Sequence, residues 1–160
     1  MQDELARTIH EDYVRRERAK PVDAPDKKSA ADRSLRSWSK LDEDLREQNR
    51  SQASDIRGKL EAIGCALAPA TDEPRPPFEL SDHEMETLAR LEHERWMRVK
   101  AEQGWTWGAR RDDAAKRSPH MKPWAALDES TRDKDRDAIR LIPSLVEMAG
   151  CRICRPPAVP

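Results

Sequence analysis

Leu5-Ala6-Arg7-Thr8-Ile9-His10-Glu11-Asp12-Tyr13-Val14-Arg15 returns later in the chain as Leu88-Ala89-Arg90-Leu91-Glu92-His93-Glu94-Arg95-Trp96-Met97-Arg98. A second match opens at Trp38: Trp38-Ser39-Lys40-Leu41-Asp42-Glu43-Asp44-Leu45-Arg46 returns as Trp124-Ala125-Ala126-Leu127-Asp128-Glu129-Ser130-Thr131-Arg132. Its register then holds without a gap through Arg50 and Arg136, Ile56 and Ile142, to Gly64-Cys65 and Gly150-Cys151. Two copies that keep the same His, aromatic and Arg positions predict a pseudo-twofold pair of repeats, with the seam between them as the natural place for a ligand. The expected organisation is a degenerate first repeat over 3–68, a linker over 69–80, a second repeat over 81–155 and a tail over 156–160.

Composition narrows the class. Of the 160 residues 36% are hydrophobic and 38% charged, which leaves each half a thin core and favours two half-domains sharing one. Trp is as common as Met, beside a single Tyr and a single Phe. Nearly all the aromatic rings therefore carry a polar handle, which suits half-wet surfaces and ligand platforms. A net charge of −1 argues against a general binder of DNA, RNA or anionic membranes. No apolar stretch approaches a membrane span and Met1-Gln2-Asp3-Glu4-Leu5 lacks a signal pattern, so the expectation is a cytoplasmic protein. Three cysteines in that setting read as reduced thiols.

Periodicity places the elements. Leu5, Ile9, Tyr13 and Val14 mark a helix over 3–19, and Lys20 to Ser37 reads as a loop. Leu41, Leu45, Ile56, Leu60 and Ile63 mark a second helix that stops at Gly64, followed by a short strand at Cys65-Ala66-Leu67. Ser81-Asp82-His83-Glu84 is a capping-box pattern, from which Met85, Leu88, Trp96 and Val99 run as one stripe to Gly104. Trp105-Thr106-Trp107 alternates between Gly104 and Gly108 as a strand or hairpin arm, with a basic loop over Ala109–Lys122. A last helix is expected over Asp128–Met148, kinked or restarted at Pro143, with a terminal strand at Cys151-Arg152-Ile153-Cys154. The fold class is mainly α with short strands.

The densest functional signal lies between Gly104 and Trp124. Trp105 and Trp107 share one face of an extended segment, the flanking glycines allow close approach, and Arg110, Arg111, Lys116 and Arg117 follow. An indole stacks on a planar base while Arg or Lys meets phosphate, a stack worth about 1–3 kcal/mol in nucleic-acid systems. The alternative is that these tryptophans fill a core short of Phe and Tyr.

These residues carry a resemblance. His93-Glu94-x-Trp96, Gly104-Trp105-x-Trp107-Gly108, the Arg-Asp-Asp loop, Pro123-Trp124-x-x-Leu127 and Arg132-x-x-Asp135-Arg136 resemble the ryanodine-receptor repeat, the RyR domain, over nearly all of 81–155. The first copy resembles it through His10, Tyr13, Trp38, Leu41, Arg46, Asn49-Arg50 and Gly64, without the Gly-Trp-x-Trp-Gly element. The resemblance implies a tandem pair of the kind found in bacteria, mostly helical, and for such members a sensor of a nucleotide ligand with no catalytic activity. It offers Trp96, Trp105, Trp107, Arg110, Lys116, Trp124 and Arg136 as ligand-binding residues, with Tyr13, Trp38 and Arg50 added from the first copy across the seam.

Other constellations have plainer readings. His93-Glu94 lacks the second His of a helical zinc site, since Met97 stands four residues on. His10 and His93 recur together, which favours a role in the fold. Cys151-x-x-Cys154 has metal-like spacing without a partner pair and reads as half-buried thiols. Asp42-Glu43-Asp44 and Asp128-Glu129 sit at predicted helix starts, where carboxylates face the positive end of the dipole. Arg46 and Arg50, like Arg132 and Arg136, share a helical face as either salt bridges or a phosphate clamp. The leading expectation is a non-enzymatic module that binds an adenine-containing nucleotide or a nucleotide-derived messenger, with no metal or cofactor. The alternative is a protein-interaction or oligomerisation module using exposed tryptophans, as a homodimer or within a larger host protein.

Overall fold

The computed structural model describes residues 2–25 and 27–156, and most of the expected 156–160 tail lies outside them. The described chain is mainly helical and divides into two compact units. One comprises the described residues of Met1–Pro76 and Pro143–Pro160, the other Pro77–Ile142.

In the first unit α1 (Gln2–Ala19) packs on α2 (Glu43–Ala62). Leu5, Ile9, Ala53, Ile56 and Leu60 are buried at helical spacing on the two elements, so each offers one apolar stripe. A short 3-10 turn at Arg33–Leu35 interrupts the Lys20–Ser37 segment expected as loop, and a second at Trp38–Lys40 follows it. Gly64, at φ +71°, ends α2 in the left-handed region that glycine reaches without strain. β1 (Ala66–Pro69) follows, one residue later than the sequence suggests, and pairs antiparallel with β4 (Cys151–Cys154). Buried Leu145 and Val146 lie on α5 (Ile142–Met148), and Pro143 stands in its first turn, where a missing N–H costs nothing.

In the second unit α3 (Asp82–Glu102) packs on α4 (Glu129–Arg140). The capping box is present: Ser81 Oγ accepts from Glu84 N at 3.2 Å and Ser81 N donates to Glu84 Oε2 at 2.8 Å. Asp128 caps α4 by accepting from Thr131 N at 2.7 Å, and its hydrogen bonds hold its carboxyl down at about 2. The matching Asp42 makes no side-chain cap, because Arg33 and Arg36 take its two oxygens at 3.2 and 3.0 Å.

Of the strand or hairpin arm expected after Gly104, the strand forms, though not within a hairpin. β2 (Thr106–Trp107) pairs in parallel with β3 (Arg117–Ser118), Thr106 opposite Arg117 and Trp107 opposite Ser118. The intervening loop doubles back through the antiparallel Asp112–Arg117 bridge, which returns the chain in the direction it left.

Candidate functional site

The repeated letters build the same hydrogen-bonded frame in each unit. His10 Nε2 meets Arg36 O at 2.7 Å, and His93 Nε2 meets Lys122 O at 2.7 Å. Arg46 reaches Trp38 O and Ser39 O, both at 3.2 Å; Arg132 reaches Trp124 O and Ala125 O at 3.1 and 3.2 Å. The imidazole tilts against the following indole at 6.0 Å in one unit and 6.1 Å in the other.

This frame absorbs several residues read as ligand-binding. Arg50 is held by Asp3, Glu43 and Glu47 at 2.9, 2.6 and 3.3 Å; Arg136 by Glu86, Glu129 and Asp133 at 2.6, 2.8 and 2.9 Å. Both guanidiniums have their charge matched within their own unit, so of the two readings the salt-bridge one describes them. Trp124 is buried, with the Arg132 and Arg136 guanidiniums 5.4 and 5.7 Å from its ring. Trp96 stacks on His93 at 5.7 Å. His93 also faces Asp135 across 3.4 Å; burial pulls its pKa down, but Asp135 and the Lys122 carbonyl outweigh that and raise it.

The segment between Gly104 and Ser118 stays at the surface. Trp107 is 58% exposed and Arg110 is exposed beside it. Trp105 is half-buried, with Lys100 Nζ 4.9 Å and Arg111 Cζ 5.3 Å from its ring centre. Lys116 adopts φ +51° and donates to Gln103 O at 2.7 Å, so its ammonium closes the turn at Gly104. A Cβ on Gly108 would come within 2.8 Å of Arg117 Cβ, which is why the strand pair needs glycine there.

The first unit has several concave surfaces. A groove of about 430 Å³ runs between α1 and the extended Leu35–Trp38 segment. His10, Glu11, Val14, Arg15 and Arg18 line one wall, recurring at helical spacing so that they share one face of α1. Leu35, Arg36, Ser37 and Trp38 line the other. His10 fixes the second wall through Arg36 O, and buried Glu17 holds the preceding loop by accepting from Lys28 N at 2.8 Å. Arg15 pairs with Asp12 and Arg36 with Asp42, whereas Arg18 meets no carboxylate among the described residues and donates only to Leu35 O at 3.4 Å. Of the groove's lining, the sequence reading names Trp38; Arg15, Arg18 and Arg36 lie outside that reading, although Arg15 and Arg18 stand at helical spacing from His10.

Among the described residues no group of three or more His, Cys, Asp or Glu gathers to hold a metal ion. Cys65 Sγ and Cys151 Sγ donate instead to the carbonyls two residues back, at 3.9 and 3.7 Å. No described helix is long and apolar enough to cross a membrane.

With this geometry in place, the comparison with known families is direct: residues 79–155 match the family model described as the RyR domain. The chain carries an RyR domain. Its His93 frame, Trp105–Trp107 segment and α4 arginines all fall inside the match, as do α5 and β4. The RyR domain thus runs beyond the second compact unit, since its last elements pack with the first.

Proposed function

We propose that the protein is a non-catalytic recognition module that binds an adenine-containing nucleotide or a nucleotide-derived messenger in the groove of its first unit. One observation carries the reading: the groove gathers an indole, Trp38, and three guanidiniums, Arg15, Arg18 and Arg36, around a volume of about 430 Å³. That is within the roughly 300–1,000 Å³ of small-molecule sites. The base stacks on Trp38 against Val14 and Leu35, and the phosphates take Arg18 first, the guanidinium that meets no carboxylate among the described residues. Of the groove's own residues, His10 is bonded to Arg36 O and Ser37 Oγ to Ser39 Oγ, so among the described residues neither activates the other, and the reading is binding without turnover. The first unit, with the same frame as the RyR domain, is a diverged second copy of it, and the two form a tandem pair in a cytoplasmic protein.

A thermal-shift panel of adenine mononucleotides, dinucleotides and cyclic dinucleotides tests this. A rise in midpoint that Arg18→Glu abolishes supports it, and a flat response throughout the panel removes it.

A second reading has its own observation. Trp107 stands 58% exposed beside Arg110, and a large aromatic next to an arginine is the composition of a protein-interface anchor. A homodimer, or docking onto a host protein, through this segment is then expected to dissolve in Trp107→Ala. An unchanged mass in ultracentrifugation removes that reading.

A further inference from the structure

The two units carry the same buried imidazole, and they differ at its second nitrogen. His10 and His93 are 3% and 2% exposed, and each sets Nε2 against a backbone carbonyl. A carbonyl only accepts, so Nε2 carries the hydrogen in both rings, and Nδ1 is the acceptor of the neutral form. In the second unit Nδ1 of His93 faces Asp135 and Trp96 stacks on the ring. The repeat puts Asn49 and Tyr13 at those positions in the first unit. Asn49 turns its Nδ2 to Leu45 O at 2.7 Å, and Tyr13 directs its hydroxyl to Ser34 Oγ at 3.4 Å. His10 Nδ1 is left with no hydrogen-bond partner among the described residues. Where one unit sets an indole and a carboxylate, the other has a cavity of about 280 Å³ bordered by His10, Tyr13, Asn49, Arg16 and Lys28.

The lining specifies a chemistry. His10 Nδ1 and Asn49 Oδ1 are acceptors, and since a hydroxyl has one hydrogen to give, a ligand with two hydroxyls supplies one donor to each. Lys28 and Arg16 bring positive charge. Lys28 donates to Ser34 Oγ at 3.0 Å with Asp32 4.0 Å away, and Arg16 uses Nε on Asp12 at 2.8 Å. Each cation keeps further N–H groups for an anion, and the volume lies just below the roughly 300 Å³ at which sites for drug-sized ligands begin. We infer that this cavity binds a small anion with two hydroxyls, one donating to His10 Nδ1 and the other to Asn49 Oδ1, and a carboxylate or phosphate on Lys28 and Arg16. His10 borders both the groove and this cavity, but Trp38 and Arg18, on which the nucleotide reading rests, border the groove alone.

The test is an NMR titration of the full chain with glycerate and with glycerol phosphate, reading the imidazole nitrogen shifts, with inorganic phosphate as control. His10 Nδ1 is expected to shift saturably with one or both while His93 stays in place; which ligand acts tells carboxylate from phosphate. The double variant Tyr13→Trp, Asn49→Asp rebuilds the arrangement of the second unit and is expected to weaken binding by about tenfold or more. Lys28→Met, on the surface loop, gives the same loss and decides the matter if the double variant does not fold. The inference is overturned if neither ligand moves His10, if inorganic phosphate alone moves it as far, or if Lys28→Met binds as tightly as the parent. Arg18→Glu, which removes the nucleotide reading's leading phosphate contact and does not border this cavity, leaves this titration unchanged, so the two binding readings fail separately.

Discussion

Leu67 and Ile153, which hold the same position in the two copies of the repeat, pair with each other across the β1–β4 ladder. Ala66 opposite Cys154 and Ala68 opposite Arg152 flank that pair in the antiparallel register.

The pair is energetically testable. Leu67→Ala and Ile153→Ala are each expected to cost about 1 kcal/mol in urea unfolding, since both side chains are half-buried. Residues in contact couple, so the double variant should fall short of additivity by roughly 0.5 kcal/mol or more. Strict additivity would mean that the two side chains do not meet.

Trp124 and Trp107 separate frame from surface. Trp124→Ala is expected to cost about 3–5 kcal/mol, because it empties a buried position beneath His93 and two arginines. Trp107→Ala, at an exposed ring, should stay within about 0.5 kcal/mol. Chemical denaturation of the two variants side by side reads the difference; equal losses would contradict the placement.

Stability should also depend on pH through His93. Its pKa is raised in the folded protein above the ordinary 6.5, so its stabilisation is complete below 6.5 and is lost as pH rises through the folded value. Thermal midpoints are therefore expected to fall as pH is raised from below 6.5 into the alkaline range. Asp135→Asn removes a carboxylate that raises the pKa, leaves burial opposed by the Lys122 carbonyl and the Glu94 charge, and should flatten or invert that slope. An unchanged slope in the variant would count against the His93–Asp135 pair.

The helices and their ends were legible because their signals are local: Ser81 with Glu84, Gly64 after the α2 stripe, Pro143 in a first turn. The repeat made the His10 and His93 frames legible too, since matching residues at matching spacing close the same bonds. The direction of β3 was not, because a two-residue parallel pair depends on how the 108–116 loop folds back and no periodicity records that. The groove was missed for a related reason. Arg15 and Arg18 meet Arg36 and Trp38 only after the Lys20–Ser37 segment has been drawn in by Glu17 and His10, contacts between residues far apart in sequence. Arg50 and Arg136 illustrate the opposite case: their spacing fits a clamp or a salt bridge equally, and only the three carboxylates around each guanidinium separate the two.

The central claim is met most directly by isothermal titration calorimetry of the full chain with an adenine nucleotide, beside Trp38→Ala and Arg18→Glu. Stacking on an indole contributes about 1–3 kcal/mol, so Trp38→Ala is expected to weaken binding by about tenfold or more, with a comparable loss in Arg18→Glu. Binding that survives both substitutions unchanged, or no heat of binding from the parent protein at about millimolar nucleotide, would contradict the account.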